Sequence, residues 1–201
     1  MSFLPDELTE MLTALGEQLA AARAKPVSIV VCGGTAMNAL GFVARPTRDV
    51  DVVALLEVSE AGSLVQLQHA SPLPPSILAA RSRVATDFNV PEDWLNDGPA
   101  NLLHFGLPAG CEQRLISRSF GSHLTLCFLG RVDLICLKLY AWADTEAVRH
   151  GHDLRALAPT RDEWLTAARW VLTHNEPEGF LPLLQQALKR LGAGDVATEL
   201  G

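Results

Sequence analysis

No apolar run in this 201-residue chain approaches the roughly 18 residues that a membrane-spanning helix requires. Cysteine is sparse and unpatterned. Cys32, Cys111, Cys127 and Cys136 show no C-x-x-C spacing, which argues against a metal site built from them. Three of the four sit in apolar segments, and all four read as buried, free thiols of a reducing compartment. The opening Met1-Ser2-Phe3-Leu4-Pro5-Asp6-Glu7 lacks the basic start and apolar stretch of a signal peptide, so the expected location is cytoplasmic, with no membrane partner. An excess of positive charge is also missing. The net charge is −7, with 6 Lys/Arg against 12 Asp/Glu in residues 1–110 and 10 against 11 in residues 111–201. Neither half offers the basic surplus of a protein that tracks a nucleic-acid backbone. There is no internal repeat, no low-complexity tract, and no G-x-x-x-x-G-K-[ST] of a P-loop NTPase.

What is there reads as a globular chain, with 48% apolar and 19% charged residues and a length that fits one domain or one with a small appendage. Residues 5–24 carry Leu8, Met11, Leu12, Leu15 and Leu19 at helical spacing, with acids at the start and Arg23 and Lys25 at the end to match the helix dipole. Val27–Cys32 is β-branched and reads as a buried strand that Gly33-Gly34 breaks. A helix is expected from Thr35 to Phe42 and a second strand from Val50 to Leu56. Ser76–Phe88 reads as helix, Pro91–Leu95 as a helical turn, and Asp97–Gly110, rich in Gly and Pro, as loop. Arg114–Ser119 and His123–Leu129, split by Gly121-Ser122, read as paired strands. Asp133–Val148 returns to helical spacing through Leu134, Leu137, Tyr140 and Ala141. Thr160-Arg161-Asp162-Glu163 forms a capping-box pattern, and Gly192 stops a last helix that starts near Gly179. The expected organisation is α+β: a core over residues 1–130 with a short mixed sheet flanked by helices, and a C-terminal helical region over 131–201 packed on it.

Two features carry chemistry. Asp49 and Asp51, two apart on a strand, share one face while Val50 and Val52 turn inward. Mg²⁺ takes one or two carboxylates together with substrate phosphates, which such a pair suits; alternatively the acids are solvated at a strand end. Gly33-Gly34-Thr35 lies at a strand-to-helix turn, where backbone N–H groups can meet a phosphate and the Thr35 hydroxyl can add a donor. Alternatively this is an ordinary turn with Thr35 as N-cap. Arg45 and Arg48 lie between the two features and suit either bidentate phosphate contacts or neutralisation of Asp49 and Asp51. His150 and His152 make a His-x-His with no cysteine nearby, a weak zinc pattern. Trp142, Trp164 and Trp170 fall at helical core spacing and read as packing. Arg81 and Arg83 read as a solvated helix face.

Strand, Gly-Gly-Thr, short helix, then Asp-x-Asp on the next strand resembles the DNA polymerase beta-like nucleotidyltransferase superfamily, and within it the bacterial stand-alone members related to abortive-infection type IV toxins. A later block supports the resemblance: Asp133 five positions before the helical Lys138, then Arg149-His150-Gly151-His152-Asp153-Leu154. Pro91-Glu92-Asp93-Trp94-Leu95-Asn96 is similar to a Trp-Leu-Asn segment of an uncharacterised subfamily. The resemblance covers about residues 27–160. It implies that Gly33, Gly34 and Thr35 hold the β- and γ-phosphates of an NTP, that Asp49 and Asp51 bind Mg²⁺, that Lys138 contacts the triphosphate, and that Asp153 completes the site near the acceptor or a metal. Read without it, Lys138 is a snorkelling lysine and Asp153 a helix N-cap. The implied reaction moves a nucleoside monophosphate from NTP to an acceptor hydroxyl on tRNA, a protein or a small molecule, within a toxin–antitoxin pair. Two departures stand out. The strand His123–Leu129 lacks the third metal-binding carboxylate of many members, and the toxins' Lys-x-x-x-Thr/Ile motif is unmatched near Arg81 and Arg83. The alternative is a nucleotidyltransferase-fold binding or regulatory module without turnover, such as an antitoxin partner.

Overall fold

The computed structural model describes residues 2–58, 65–174 and 177–201. The chain divides into two compact units, Met1–Leu129 and Gly130–Gly201. The first is mixed α/β, built on a small open sheet; the second is helical.

In the first unit α1 (Pro5–Ala21) buries Leu8, Met11, Leu12, Leu15 and Leu19, the stripe its spacing predicts. Glu7 accepts the Leu4 N–H at 2.8 Å, satisfying a donor at the helix start. Arg23 and Lys25 fall beyond the last turn, and Arg23 itself takes φ 51° to end the helix, so neither lies in the turn where a cation answers the dipole. The strands are β1 (Val27–Cys32), β2 (Val50–Val58), β3 (Val65–His69), β4 (Leu95–Asn96), β5 (Ile116–Ser119) and β6 (Leu124–Phe128), in spatial order β3-β2-β1-β6-β5, with β4 also paired to β2. β1 is central. Its residues Ile29, Val30 and Val31 are fully buried, as expected of a β-branched run covered on both faces. It pairs antiparallel with β2 and parallel with β6, and β5 closes a hairpin onto β6.

The connections differ from expectation in instructive ways. The helix after β1, α2 (Gly33–Ala39), starts at Gly33 rather than Thr35: Gly33, left-handed at φ 70°, makes the turn out of the strand and the helix follows it directly. α3 (Pro75–Asp87) follows β3 and is entered through Pro74. Asp97–Gly110 is not plain loop: it holds a 3₁₀ turn at Gly98–Asn101 and one helical turn, α4 (Leu102–Phe105). Neither is long enough to show a period in sequence.

The second unit comprises α5 (Arg131–Thr145), α6 (Val148–Leu157), α7 (Arg161–Leu172), α8 (Pro177–Arg190) and α9 (Gly194–Glu199). α5 packs against α6, α7 and α8. It is apolar around most of its circumference, with Leu134, Ile135, Cys136, Leu137, Leu139 and Trp142 buried, the pattern of an interior helix. Chain reversals at Glu146 and Ala158 use left-handed residues without glycine. The Thr160 capping box forms: Thr160 Oγ1 accepts from the Glu163 N–H at 3.2 Å, and Glu163 accepts from the Thr160 N–H at 2.8 Å. Among the described residues no helix is long and apolar enough to cross a membrane.

Candidate functional site

Pairing of β1 with β2 assembles the first cluster. Cys32, the last residue of β1, lies opposite Asp51, and α2 starts at the next residue. Asp51 therefore stands beside the strand-to-helix turn. Val50 and Val52 on either side are fully buried, while Asp51 is half-buried. Gly33 has φ 70°, and a β-carbon there would collide with Oδ2 of Asp51. Left-handed backbone and close approach both demand glycine. At Gly34 a β-carbon would stand 2.8 Å from Thr47 Oγ1 and 3.6 Å from Nη2 of Arg45, so these two side chains lie over the turn.

Asp49 lies one residue ahead of β2 rather than inside it. Its carbonyl accepts the Thr35 hydroxyl at 2.7 Å and the Thr47 hydroxyl at 3.3 Å. Thr35 is buried within α2, so it is not the N-cap; Cys32 is. A hydroxyl carries one proton, and that of Thr35 is committed to Asp49. Its role here is to fix the Asp49 backbone rather than to donate to a phosphate. Asn38 on α2 brackets Arg45 in the same way, donating to the Arg45 carbonyl at 2.8 Å and accepting its N–H at 3.2 Å. The Arg45 guanidinium also donates to the Pro46 carbonyl at 3.3 Å. Arg48 is exposed. Thr47 is pinned from outside by a two-bond bridge to Phe3.

β4 adds a residue to which sequence reasoning gave no role. It runs parallel to β2 with Asn96 opposite Asp51. The Asn96 amide donates to Asp51 Oδ1 at 3.4 Å, and its oxygen accepts the Gly98 N–H at 2.9 Å. Arg81 on α3, read from sequence as solvated, is half-buried and donates to the Leu95 carbonyl at 3.1 Å; the Trp94 indole N–H reaches the Arg81 carbonyl at 3.3 Å. Arg83 is exposed, with one bond to Gln18. The signal for Asn96 was the Trp-Leu-Asn segment itself, but a two-residue strand leaves no periodicity that would locate it.

The second cluster lies in the helical unit. Lys138 on α5 and Asp153 on α6 form an ion pair, Nζ to Oδ2 at 2.6 Å, with relative side-chain exposures of 8% and 1%. Asp153 is six residues into α6, whose N-cap is Ala147, so it is no helix cap. Lys138 does not snorkel to solvent; it is held inside. The two helices approach closely because residue 151 is glycine: a β-carbon there would lie 2.9 Å from the Trp142 ring. Gly33, Gly34, Thr35, Arg45, Asp49 and Asp51 are thus brought together in one unit, and Lys138 and Asp153 in the other.

His150 and His152 do not converge. Two residues on a helix stand about 200° apart, and His150 is half-buried where His152 is exposed. Among the described residues no group of three or more His, Cys, Asp or Glu is placed to hold a metal ion. The carboxylate that stands at the glycine turn is that of Asp51, and Asp49 is held there by its backbone carbonyl; Mg²⁺ takes one or two carboxylates together with substrate phosphates. The missing Cβ over Asp51 Oδ2 leaves the backbone near that carboxylate, a cradle consistent with such a ligand. Comparison of the chain with family models, with curated proteins and with solved structures gives no match in any of the three.

Proposed function

We propose that the chain is a nucleotidyltransferase of the polymerase-beta-like type, moving a nucleoside monophosphate from an NTP to an acceptor hydroxyl with release of pyrophosphate. The observation that carries this reading is the close approach of Gly33 to the Asp51 carboxylate, with Asp49 fixed alongside. On this reading the Gly33-Gly34 backbone would meet phosphate oxygens at the same corner of the sheet where the carboxylates would hold the metal. Asp49 and Asp51 would hold Mg²⁺, which neutralises triphosphate charge and lowers the pKa of the attacking hydroxyl. The Gly33-Gly34 backbone would take phosphate oxygens, with Arg45 above the turn and Arg48 exposed nearby as cations for the same group. Thr35, Thr47 and Asn38 set the Asp49 and Arg45 backbones, so the site is preorganised before a ligand arrives. The resemblance alone gives Lys138 a triphosphate contact and Asp153 an acid's role; within the helical unit the two form a buried ion pair. The acceptor is tRNA, a protein or a small molecule, in the cytoplasm, and a toxin–antitoxin setting follows from the resemblance alone.

A second reading has its own support. A nucleotide-binding or antitoxin-type module without turnover fits the neutral Asn96 beside Asp51 and the lack, among the described residues, of a three-acid group. Calorimetric titration with each of the four NTPs and Mg²⁺ tests both, on wild type, Asp49→Ala and Asp51→Ala. Mg²⁺-dependent binding lost in both variants, with pyrophosphate released once an acceptor is supplied, is the expected result. Binding without pyrophosphate release favours the module. No binding of any NTP by folded wild type overturns both.

A further inference from the structure

We infer that Asn96 is the positioning residue for Asp51, holding one carboxylate oxygen so that the other is presented at the Gly33 turn; its consequence for ligand binding rests on the reading above. The amide is oriented from both ends. Its oxygen accepts the Gly98 N–H at 2.9 Å, which leaves the nitrogen facing Asp51 Oδ1 at 3.4 Å. Register places the two residues directly opposite one another, so the contact follows from strand pairing as well as from a rotamer. The strand that carries Asn96 is too short to hold itself, since two residues make few ladder bonds. It is clamped instead by Arg81, which donates to the Leu95 carbonyl, and by the Trp94 indole, which returns a bond to the Arg81 carbonyl. Trp94 and Leu95 are essentially fully buried, which anchors the clamp in the core. Asp51 is therefore bracketed, with Oδ1 toward the Asn96 amide and Oδ2 over Gly33. A carboxylate that would otherwise rotate about its terminal torsion has one orientation selected, and a ligand that needs that orientation pays less to find it.

The test uses Mn²⁺ alone as the probe, on the full chain, before any nucleotide is identified. Mn²⁺ affinity is measured by water-proton relaxation, and Mn²⁺ line broadening is followed on the Asn96 side-chain amide signal. The proteins are wild type, Asn96→Ala, Asn96→Asp, Arg81→Lys and Asp51→Ala. Asn96→Ala is expected to weaken Mn²⁺ about tenfold at unchanged Tm, and Arg81→Lys to weaken it less, through loosening of β4. Asn96→Asp is expected to lower the metal-free Tm by setting two like charges side by side, with the loss recovered on adding Mn²⁺. A merely structural residue would not give opposite metal responses for the Ala and Asp variants. Wild-type affinity in Asn96→Ala, while Asp51→Ala still abolishes binding, overturns the role of Asn96 and leaves the nucleotidyl-transfer reading standing. Absence of Mn²⁺ broadening in wild type, at Asn96 and around Asp51 alike, both with the metal alone and with each of the four NTPs added, overturns both.

Discussion

Lys138 and Asp153 place opposite charges 2.6 Å apart in a nearly dry interior. A pair of this kind contributes little relative to apolar residues of the same size, but removing one member takes the nearest opposite charge from the buried one that stays, at a cost of about 3–5 kcal/mol. Lys138→Met and Asp153→Leu are each expected to lower the urea midpoint sharply, and the double variant to recover most of the loss. If the two single losses simply add, the ion pair is not what couples these positions. The double variant then becomes a test of the roles of Lys138 and Asp153 taken together, since it separates loss of binding from loss of fold. Residue-scale chemistry was only partly legible in the sequence. The half-buried Asp51 between two inward valines follows from strand alternation. That Thr35 spends its proton on the Asp49 carbonyl does not, because this bond spans 14 residues and depends on how α2 meets β2. Asp153 was ambiguous for a similar reason: a cap and a buried ion-pair partner look alike until the neighbouring helix is in place.

At the scale of elements, local signals read well and short or long-range ones did not. The β-branched run of β1, the stripe of α1 and the capping box of α7 are all written within a few residues of where they act. β3, β4 and α9 were missed because each is six residues or fewer, and β4 exists through its pairing to β2, 45 positions away. The start of α7 makes a pH prediction. Arg131 donates to Glu163 through Nε at 2.8 Å and Nη2 at 3.1 Å, while the Thr160 N–H adds a third bond. The hydrogen bonds from Arg131 hold the Glu163 carboxyl below the usual glutamate range, against the opposing effect of burial. A carboxyl depressed in the folded state contributes stability that is fully present above its unfolded pKa and is lost as pH falls through the folded value. Glu163→Gln is therefore expected to lower the Tm at neutral pH and to flatten its fall on the acid side. Parallel acid limbs in the two proteins would show that Glu163 does not link folding to pH.

For the molecule as a whole, the deficit of basic charge limits the acceptor. With −7 overall and no surplus in either half, long-range attraction to a phosphate backbone is weak. No binding of random-sequence duplex DNA is expected by fluorescence anisotropy at about 0.15 M salt. Tight binding with a steep salt slope would instead point to a nucleic-acid acceptor held by a local basic patch. The cysteines have a consequence at this scale as well. All four are unbridged and buried, and burial raises the Cys127 thiol above its ordinary range, partly offset by a hydrogen bond with Ser117. A buried, protonated thiol is a poor nucleophile. Cys32, Cys111 and Cys127 belong to one unit and Cys136 to the other, so the chain carries its own clock for each: the rate at which an alkylating reagent reaches Cys136, set against the rates at the other three, times the opening of each unit without any label being engineered.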